Sequence, residues 1–394
     1  MRYTLHQFSQ GRLLLAIVLV LISVAMHGGP VVAQTPEAIG SGPGFETPWG
    51  IAVEANGSLV VVDFDKKAVF RVDPVSGDRT IVSDARNGSG TDFEIPFDIA
   101  VEADGGLVVA GGYQLSGQFK QAVFRVDPIT GDRTIVSDTN IGRGPNFIRS
   151  KGIVVEADGN LVVIDGGGVR EDLDALVRVV PVNGDRAKLS GADIGGGPDF
   201  GSGPAFRVIK SVAVEADGNL VVIDGGTHAV VRVDPATGDR TIISAATIGS
   251  GPDIAFPEDI AVEANGGLLV LNSDPPAVVR VNPISGDRTI VSNASAGSGP
   301  ALELPNGIAI AADGSVALVD TDLAAVIRVD PVTGDRAIIS EGTDIVLSTT
   351  SRLPATGGPT NLPNIALAAS LLGALLAVGG IYILRRTPRS VRRA

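Results

Sequence analysis

Cysteine is absent from this chain of 394 residues, which excludes disulfides, a thiolate nucleophile and any Cys-ligated metal. Histidine is almost as scarce. Only three occur, and His6 and His27 precede residue 34, leaving His228 alone in the rest of the chain. Nucleophile–His pairs and multi-His metal centres are therefore excluded there. Aromatic residues make up only 4%, with Trp49 the single tryptophan, against 44% hydrophobic residues overall. A core has to come from Val, Ile, Leu and Ala. What the chain has in abundance is Gly (51) and Pro (24), the residues of frequent short turns, which favour an all-β architecture.

Charge is partitioned along the chain. Residues 1–33 carry Arg2 and Arg12 and no acid, and residues 357–394 carry five arginines and no acid. The remainder holds 24 Lys and Arg against all 44 Asp and Glu, a net charge of −20. So acidic a segment repels nucleic acid and anionic lipid, and neither is expected as its partner.

Arg2 and Arg12 precede an apolar run from Leu13 to Met26, and small residues close the segment at Val31-Val32-Ala33. That order describes a signal peptide over 1–33 cut after Ala33, on an exported protein. Near the other end stands Leu353-Pro354-Ala355-Thr356-Gly357, then an apolar stretch over about 365–384, then Arg385, Arg386, Arg389, Arg392 and Arg393. The stretch has the length of a transmembrane helix, and the basic tail would stay on the cytoplasmic side. Pentapeptide, span and basic tail in that order resemble the sorting signal of Gram-positive-type surface proteins. The resemblance implies a sortase-type transpeptidase that cuts between Thr356 and Gly357 and joins Thr356 to the cell envelope. The alternative is a plain single-span membrane anchor.

Between the ends, after a lead-in over 34–46, one unit repeats six times over 47–340, starting near 48, 96, 150, 209, 257 and 305; a linker over 341–352 follows. Each unit reads P-x-G-I-A-V-E-A-D-G-x-L-V-V-x-D, a variable loop, then A-V-x-R-V-D-P-x-T-G-D-R-T-I-V-S. It supplies four β-rich runs, A to D. Asn-Gly or Asp-Gly in every unit joins A to B as a hairpin turn, and the Pro-to-Gly-Asp segment joins C to D. Runs B and C are continuously apolar, so both faces of each sheet are expected to be covered by neighbouring sheets. Ala52, Ala100, Ala213, Ala261 and Ala309 on run A suit a narrow centre. The expected fold is all-β, a six-bladed β-propeller of four-stranded antiparallel blades. A solenoid is disfavoured because no repeat carries a polar capping face. Ring closure is expected to rest on packing of blade six against blade one, with no strand exchanged between the termini.

The P-x-G-I-A-V…D-G-x-L-V-V-x-D half of the unit resembles the NHL-repeat and gluconolactonase-like six-bladed propellers over roughly 47–340. Repetition then separates scaffold from site. Residues present in every blade serve the blade; a binding site has to break the symmetry. Arg71 and its five equivalents, Glu54 and its four, and the Asp-Arg pairs from Asp78-Arg79 to Asp335-Arg336 read as turn bonds and ion pairs between blades. The departures gather on the face expected to carry the B–C and D–A loops. Insertions fall at 111–121, 166–175 and 191–207. The residue after the first Pro position reads Trp49, Phe97, Lys151, Lys210, Glu258 and Asn306 around the ring. Trp49, Phe97, Lys151 and Lys210, with Tyr113, Phe119 and Arg170 from the adjoining loops, are the candidate ligand-binding residues. Rings beside cations suit a ligand with an apolar ring or sugar face and an anionic group.

Two functions follow. One is a non-catalytic display propeller that binds a glycan, peptide or protein and needs no cofactor. The other is implied by the resemblance: a metal-dependent hydrolase or lactonase holding Ca²⁺ or another divalent cation through Asp98, Glu258, Asp259 and Asn306. Lys151 and Lys210 would crowd that cation, and Trp49 stands where the family places a Glu. The display reading further expects that replacing Trp49 and Lys151 together abolishes binding at unchanged stability.

Overall fold

A computed structural model describes residues 39–166, 174–191 and 200–342. Strands β1–β4, at Pro48–Val53, Leu59–Asp63, Ala68–Val72 and Arg79–Ser83, form one antiparallel sheet in sequence order. The same arrangement recurs five times, with β5–β8 within 95–137, β9–β12 within 150–191, β13–β16 within 209–244, β17–β20 within 257–292 and β21–β24 within 305–341. Six hydrophobic clusters fill the six interfaces between successive sheets, including the one between the sixth and the first. The described chain is a closed six-bladed β-propeller. The second and third strands of each blade are buried on both faces, for example Leu59–Asp63 throughout, because each sheet packs between two others.

The sixth blade draws all four strands from 305–341, but blade packing alone does not close the ring. Residues 39–45 of the lead-in run beside its last strand: Glu341 N–H donates to Ile39 O and Phe45 N–H to Gly342 O, at 3.0 and 2.8 Å. Arg79 of the first blade adds bonds to Ser340 Oγ and Glu341 O, and Phe45 packs in the closing cluster.

The repeated charges divide into two devices. Arg71 is held by Glu54 through two bonds of 2.6 Å, and the pair recurs in blades two to five. These ion pairs lie within a blade and not between neighbours, because first and third strands place their lower ends on one face of the same sheet. A further bond crosses to the next blade, from Arg71 to Pro128 O, and recurs from Arg178, Arg280 and Arg328 to Pro235, Pro331 and Pro74 O. The link between blades is the second arginine. Arg133 is 4% exposed and donates to Ser83 Oγ, Asp84 O and Asn87 O of the preceding blade and its connector. Connectors and C–D turns meet at the rim: Gly88 lies so close to Gly131 O that a Cβ would come within 1.9 Å of it. The right-handed twist of each blade brings these nominally opposite ends together at its outer edge.

One irregularity positions the site. Where the first strand of a blade pairs with the second, the register slips in every blade: between Pro48 and Ile51, Pro96 and Asp98, Ser150 and Gly152, Ile209 and Ser211, Pro257 and Asp259, and Pro305 and Gly307. The unpaired residues are Trp49 (with Gly50), Phe97, Lys151, Lys210, Glu258 and Asn306. A β-bulge re-aims the side chain it carries, and here six bulges aim six different side chains at one end of the central channel.

Candidate functional site at the channel mouth

A cavity of about 210 Å³ at that end is lined by Trp49, Phe97, Lys151, Lys210, Glu258 and Asn306 together with Arg149, Val208 and Ile209. All six bulge residues therefore meet. Trp49 is 38% exposed. Its ring stands 6.0 Å from that of Phe64, which stands 5.6 Å from Phe97. The guanidinium of Arg149 lies 5.3 Å from the Phe97 centroid, within cation–π range. An arc of three rings thus ends in a cation, and Arg149 has no carboxylate partner among the described residues.

Phe64 and Arg149 were not among the sequence candidates. Phe64 had a signal: it follows Asp63, and the equivalent positions hold Gly112, Gly166, Gly225, Ser273 and Thr321. It breaks the repeat as plainly as Trp49 does. Arg149 sits two residues before Lys151 in a connector that varies in every blade, so no repeat pattern marks it.

Both lysines are already paired. Lys151 Nζ lies 2.8 Å from Asp174 Oδ2, with side chains 19% and 5% exposed, and Asp174 Oδ2 also accepts Ile209 N–H at 2.8 Å. Lys210 Nζ lies 2.8 Å from Glu258 Oε2, with side chains 38% and 21% exposed. The expected basic arc is largely neutralised, because carboxylates from the third and fifth blades meet the two ammonium groups. Arg149 carries the cationic character of the mouth.

Two aromatic candidates are displaced from the mouth. The 111–121 insertion is no loop but an extension of the β6 (Leu107–Leu115) and β7 (Gln118–Val126) hairpin, paired as far as Leu115 and Gln118. Alternation along β6 turns Tyr113 into the core between blades one and two, at 2% exposure, where its hydroxyl donates to Asp138 Oδ2 at 2.5 Å. Burial, then Asp138, pushes its pKa up to about 12. Phe119 is exposed, lies over Gly112 and does not line the cavity. Arg170, the sorting residues Leu353, Pro354, Thr356 and Gly357, and the stretch 365–384 lie outside the described residues. No helix among the described residues is long and apolar enough to cross a membrane.

Below the mouth the channel widens into a lumen of about 350 Å³, lined by first-strand residues from all six blades, Ala52, Ala100, Ala213, Ala261 and Ala309 among them. Between mouth and lumen stand Asp98 and Asp259, from blades half a ring apart. Each ties its blade to the next. Asp98 accepts Ile99 and Ile153 N–H at 2.8 and 2.9 Å; Asp259 accepts Ile260 and Ile308 N–H at 2.7 Å each, and the Ser211 hydroxyl. Burial, reinforced by the charge of Asp259, pushes Asp98 up to about 7. Burial pushes Asp259 up to about 6. Gly50 makes room for this pair, since a Cβ there would lie 2.6 Å from Asp98 Oδ1.

The donor set weighed for a divalent cation does not fit one. Both carboxyl oxygens of Asp98 and of Asp259 accept N–H or O–H donors. Glu258 is held by Lys210 and by the Ser273 hydroxyl at 3.0 Å, and the Asn306 amide donates to Thr321 Oγ1 at 2.5 Å. A cation would have to displace these bonds and approach the Lys210 ammonium. Among the described residues, no three His, Asp or Glu side chains gather to hold a metal.

The architecture is that of a large structural class. A gluconolactonase from Xanthomonas campestris is similar over 75% of this chain and 87% of its own, with 15% identity and a TM-score of 0.53. A catalytically inactive virginiamycin B lyase from Staphylococcus aureus, solved with quinupristin, is similar over 77% and 87%, with 15% identity and a TM-score of 0.50. A protein of unknown function from Bacteroides thetaiotaomicron reaches 0.54 at 14% identity, over 76% of this chain and 71% of its own. At these identities the likeness establishes the fold and nothing finer. No protein-family model and no curated protein matches the sequence.

Proposed function

We propose that this chain is an exported, envelope-attached binding module whose propeller takes a ring-bearing anion at the channel mouth. One observation carries the reading: the arc Trp49–Phe64–Phe97 runs into Arg149, whose charge no carboxylate meets among the described residues, over a cavity of about 210 Å³. A sugar or aromatic ring would lie on Trp49 and Phe64 while its carboxylate faces Arg149. Sugar acids such as the uronic acids of envelope glycans have that shape. Attachment to the envelope is supported by the order of Leu353–Gly357, apolar stretch and basic tail. Isothermal titration with glucuronate and glucose is the test. Tighter binding of the acid, lost in Trp49→Ala and in Arg149→Ala, is expected; equal binding of both sugars, or none, rejects the reading.

A second reading is favoured by Asp98 and Asp259. A carboxyl with its pKa near 7 in a channel is poised to move protons at neutral pH, and the fold is shared with a gluconolactonase. Hydrolysis of a sugar lactone, abolished by Asp98→Asn, would replace the binding reading with a hydrolase.

A further inference from the structure

A second cavity, of about 260 Å³, lies between blades four and five, away from the channel. It is lined by Thr227, His228, Ala245, Ala246, Asp253, Ile254, Ala255 and Arg288. Its origin is clear from the equivalent place between blades one and two. There the left-handed residue before the third strand is Lys67, paired with Glu94 of the following connector at 2.9 Å. Beside it Arg133 pairs with Asp92 at 2.7 Å, and the ring of Phe93 lies 5.6 Å from the Arg133 guanidinium. Two ion pairs and a ring close that interface.

Between blades four and five every closing element is missing. His228 holds the left-handed position, with φ of 54°, but Ala255 stands where Glu94 would meet it. Ile254 replaces the phenylalanine, and Ala245 replaces Asp84. Arg288 keeps its structural bonds, from Nε to Pro252 O and from Nη1 to Ser244 Oγ, Ala245 O and Ile248 O. Asp253, the equivalent of Asp92, is exposed and makes no bond to it. Arg288 is only 5% exposed, and its Nη2 has no partner among the described residues. Among the described residues no buried side-chain nitrogen or oxygen is left unsatisfied, so this Nη2 is open to solvent, and Arg288 lines the cavity. His228, whose ring is tilted against that of Phe256 at 6.3 Å, also has no hydrogen-bond partner among the described residues.

We infer that this cavity is a binding site for a small carboxylate with a short aliphatic body. The carboxylate takes the place that Glu94 and Asp92 occupy between blades one and two, bonding to Arg288 Nη2 and the His228 ring. Ala245, Ala246, Ile254 and Ala255 enclose the aliphatic part. Asp253 on the lip decides between two sources of that chemistry. It repels a plain carboxylate and attracts the ammonium of an amino acid.

The test is ligand-observed NMR on the full chain in detergent, with butyrate and α-aminobutyrate as probes. Ile254→Phe and Ala255→Glu restore residues that other blades carry at these positions, so both variants keep a native closing pattern and should fold. Each is expected to weaken binding about tenfold or more, the scale of losing a charge-assisted bond and its pocket. Trp49→Ala is expected to leave butyrate binding unchanged, so this site stands or falls apart from the channel mouth. Asp253→Asn should tighten butyrate and weaken α-aminobutyrate; tighter native binding of α-aminobutyrate than of butyrate assigns the site to an amino acid, and the reverse order assigns it to a plain carboxylate. Failure of the native chain to bind either probe, or undiminished binding by both restoring variants, overturns the proposal.

Discussion

The two lysines at the mouth occupy equivalent repeat positions and are expected to respond very differently to Lys→Met. Lys151 neutralises Asp174, whose side chain is 5% exposed and also anchors Ile209 N–H. Removing one member of a buried pair typically costs about 3–5 kcal/mol, because the other charge stays behind in a poor solvent. Lys151 itself is 19% exposed and Asp174 keeps its backbone bond, so the lower end, about 3 kcal/mol, is expected. Lys210 and Glu258 are 38% and 21% exposed, and water replaces most of what the pair gives, so about 0.5 kcal/mol is expected. At roughly 2–4 °C per kcal/mol for a large domain, Lys151→Met lowers the melting temperature by roughly 6–12 °C and Lys210→Met by no more than about 2 °C. Urea denaturation of both variants, with Lys151→Met/Asp174→Asn as the third, is the assay. The double variant should recover part of the loss, since it removes the buried carboxylate's charge. Equal destabilisation by the two single variants, or a double variant no better than Lys151→Met, refutes the argument. Replacing Lys151 at unchanged stability, as the sequence suggests, is not expected.

Asp98, Asp165 and Asp259 have pKa values raised by burial to about 7, 6 and 6. The folded state therefore binds more protons than the unfolded one between about pH 4 and 7, and unfolding free energy falls as pH rises through that window. The urea midpoint should be higher near pH 5 than near pH 7.5, and Asp98→Asn/Asp259→Asn should flatten the profile; a rising profile in the native chain contradicts the assignment. Arg133→Met removes five bonds, including the buried link to Ser83 Oγ, and should cost about 3–5 kcal/mol by calorimetry; a loss under about 1 kcal/mol would deny it the role of blade link. Thr356 is expected to be the C-terminal residue of the envelope-linked protein, and a dominant surface species retaining Arg385–Arg393 in mass spectrometry would leave a plain membrane anchor.

The propeller was legible because each of its causes is local and repeated. Asn56-Gly57 and Asp73-Pro74 set the hairpins. The apolar runs at Leu59–Asp63 and Ala68–Val72 demand cover on both faces, and six copies supply it. The convergence of Trp49, Phe97, Lys151, Lys210, Glu258 and Asn306 was legible for the same reason, since equivalent positions occupy equivalent places. The bulge that aims them was not, because a register slip leaves no mark on residue type beyond the preceding Pro. The lead-in's contacts through Ile39 and Phe45 to Glu341 and Gly342 were also hidden, as half a connector with no blade before it does not look like part of a repeat.

Pairing is where the sequence stopped. Glu258 meets Lys210 from the next blade and Asp174 meets Lys151 across its own, and nothing in either motif distinguishes a paired lysine from a free one. Comparing structures of the repeats recovers what comparing letters cannot: whether the bonds a position normally makes are present. Lys67–Glu94 and Arg133–Asp92 close one interface; His228, Ala255, Asp253 and Arg288 leave the matching interface open. Read as letters, Ala255 and Ile254 are conservative shrinkages in a variable connector. Read as bonds, Ala255 leaves His228 without the carboxylate that meets Lys67, and Ile254 removes the ring that covers Arg133 in the first interface. In a ring built from six copies of one unit, a cavity beside an arginine and a histidine that both lack the partners supplied at the interface of blades one and two marks a site more specifically than unusual residues do.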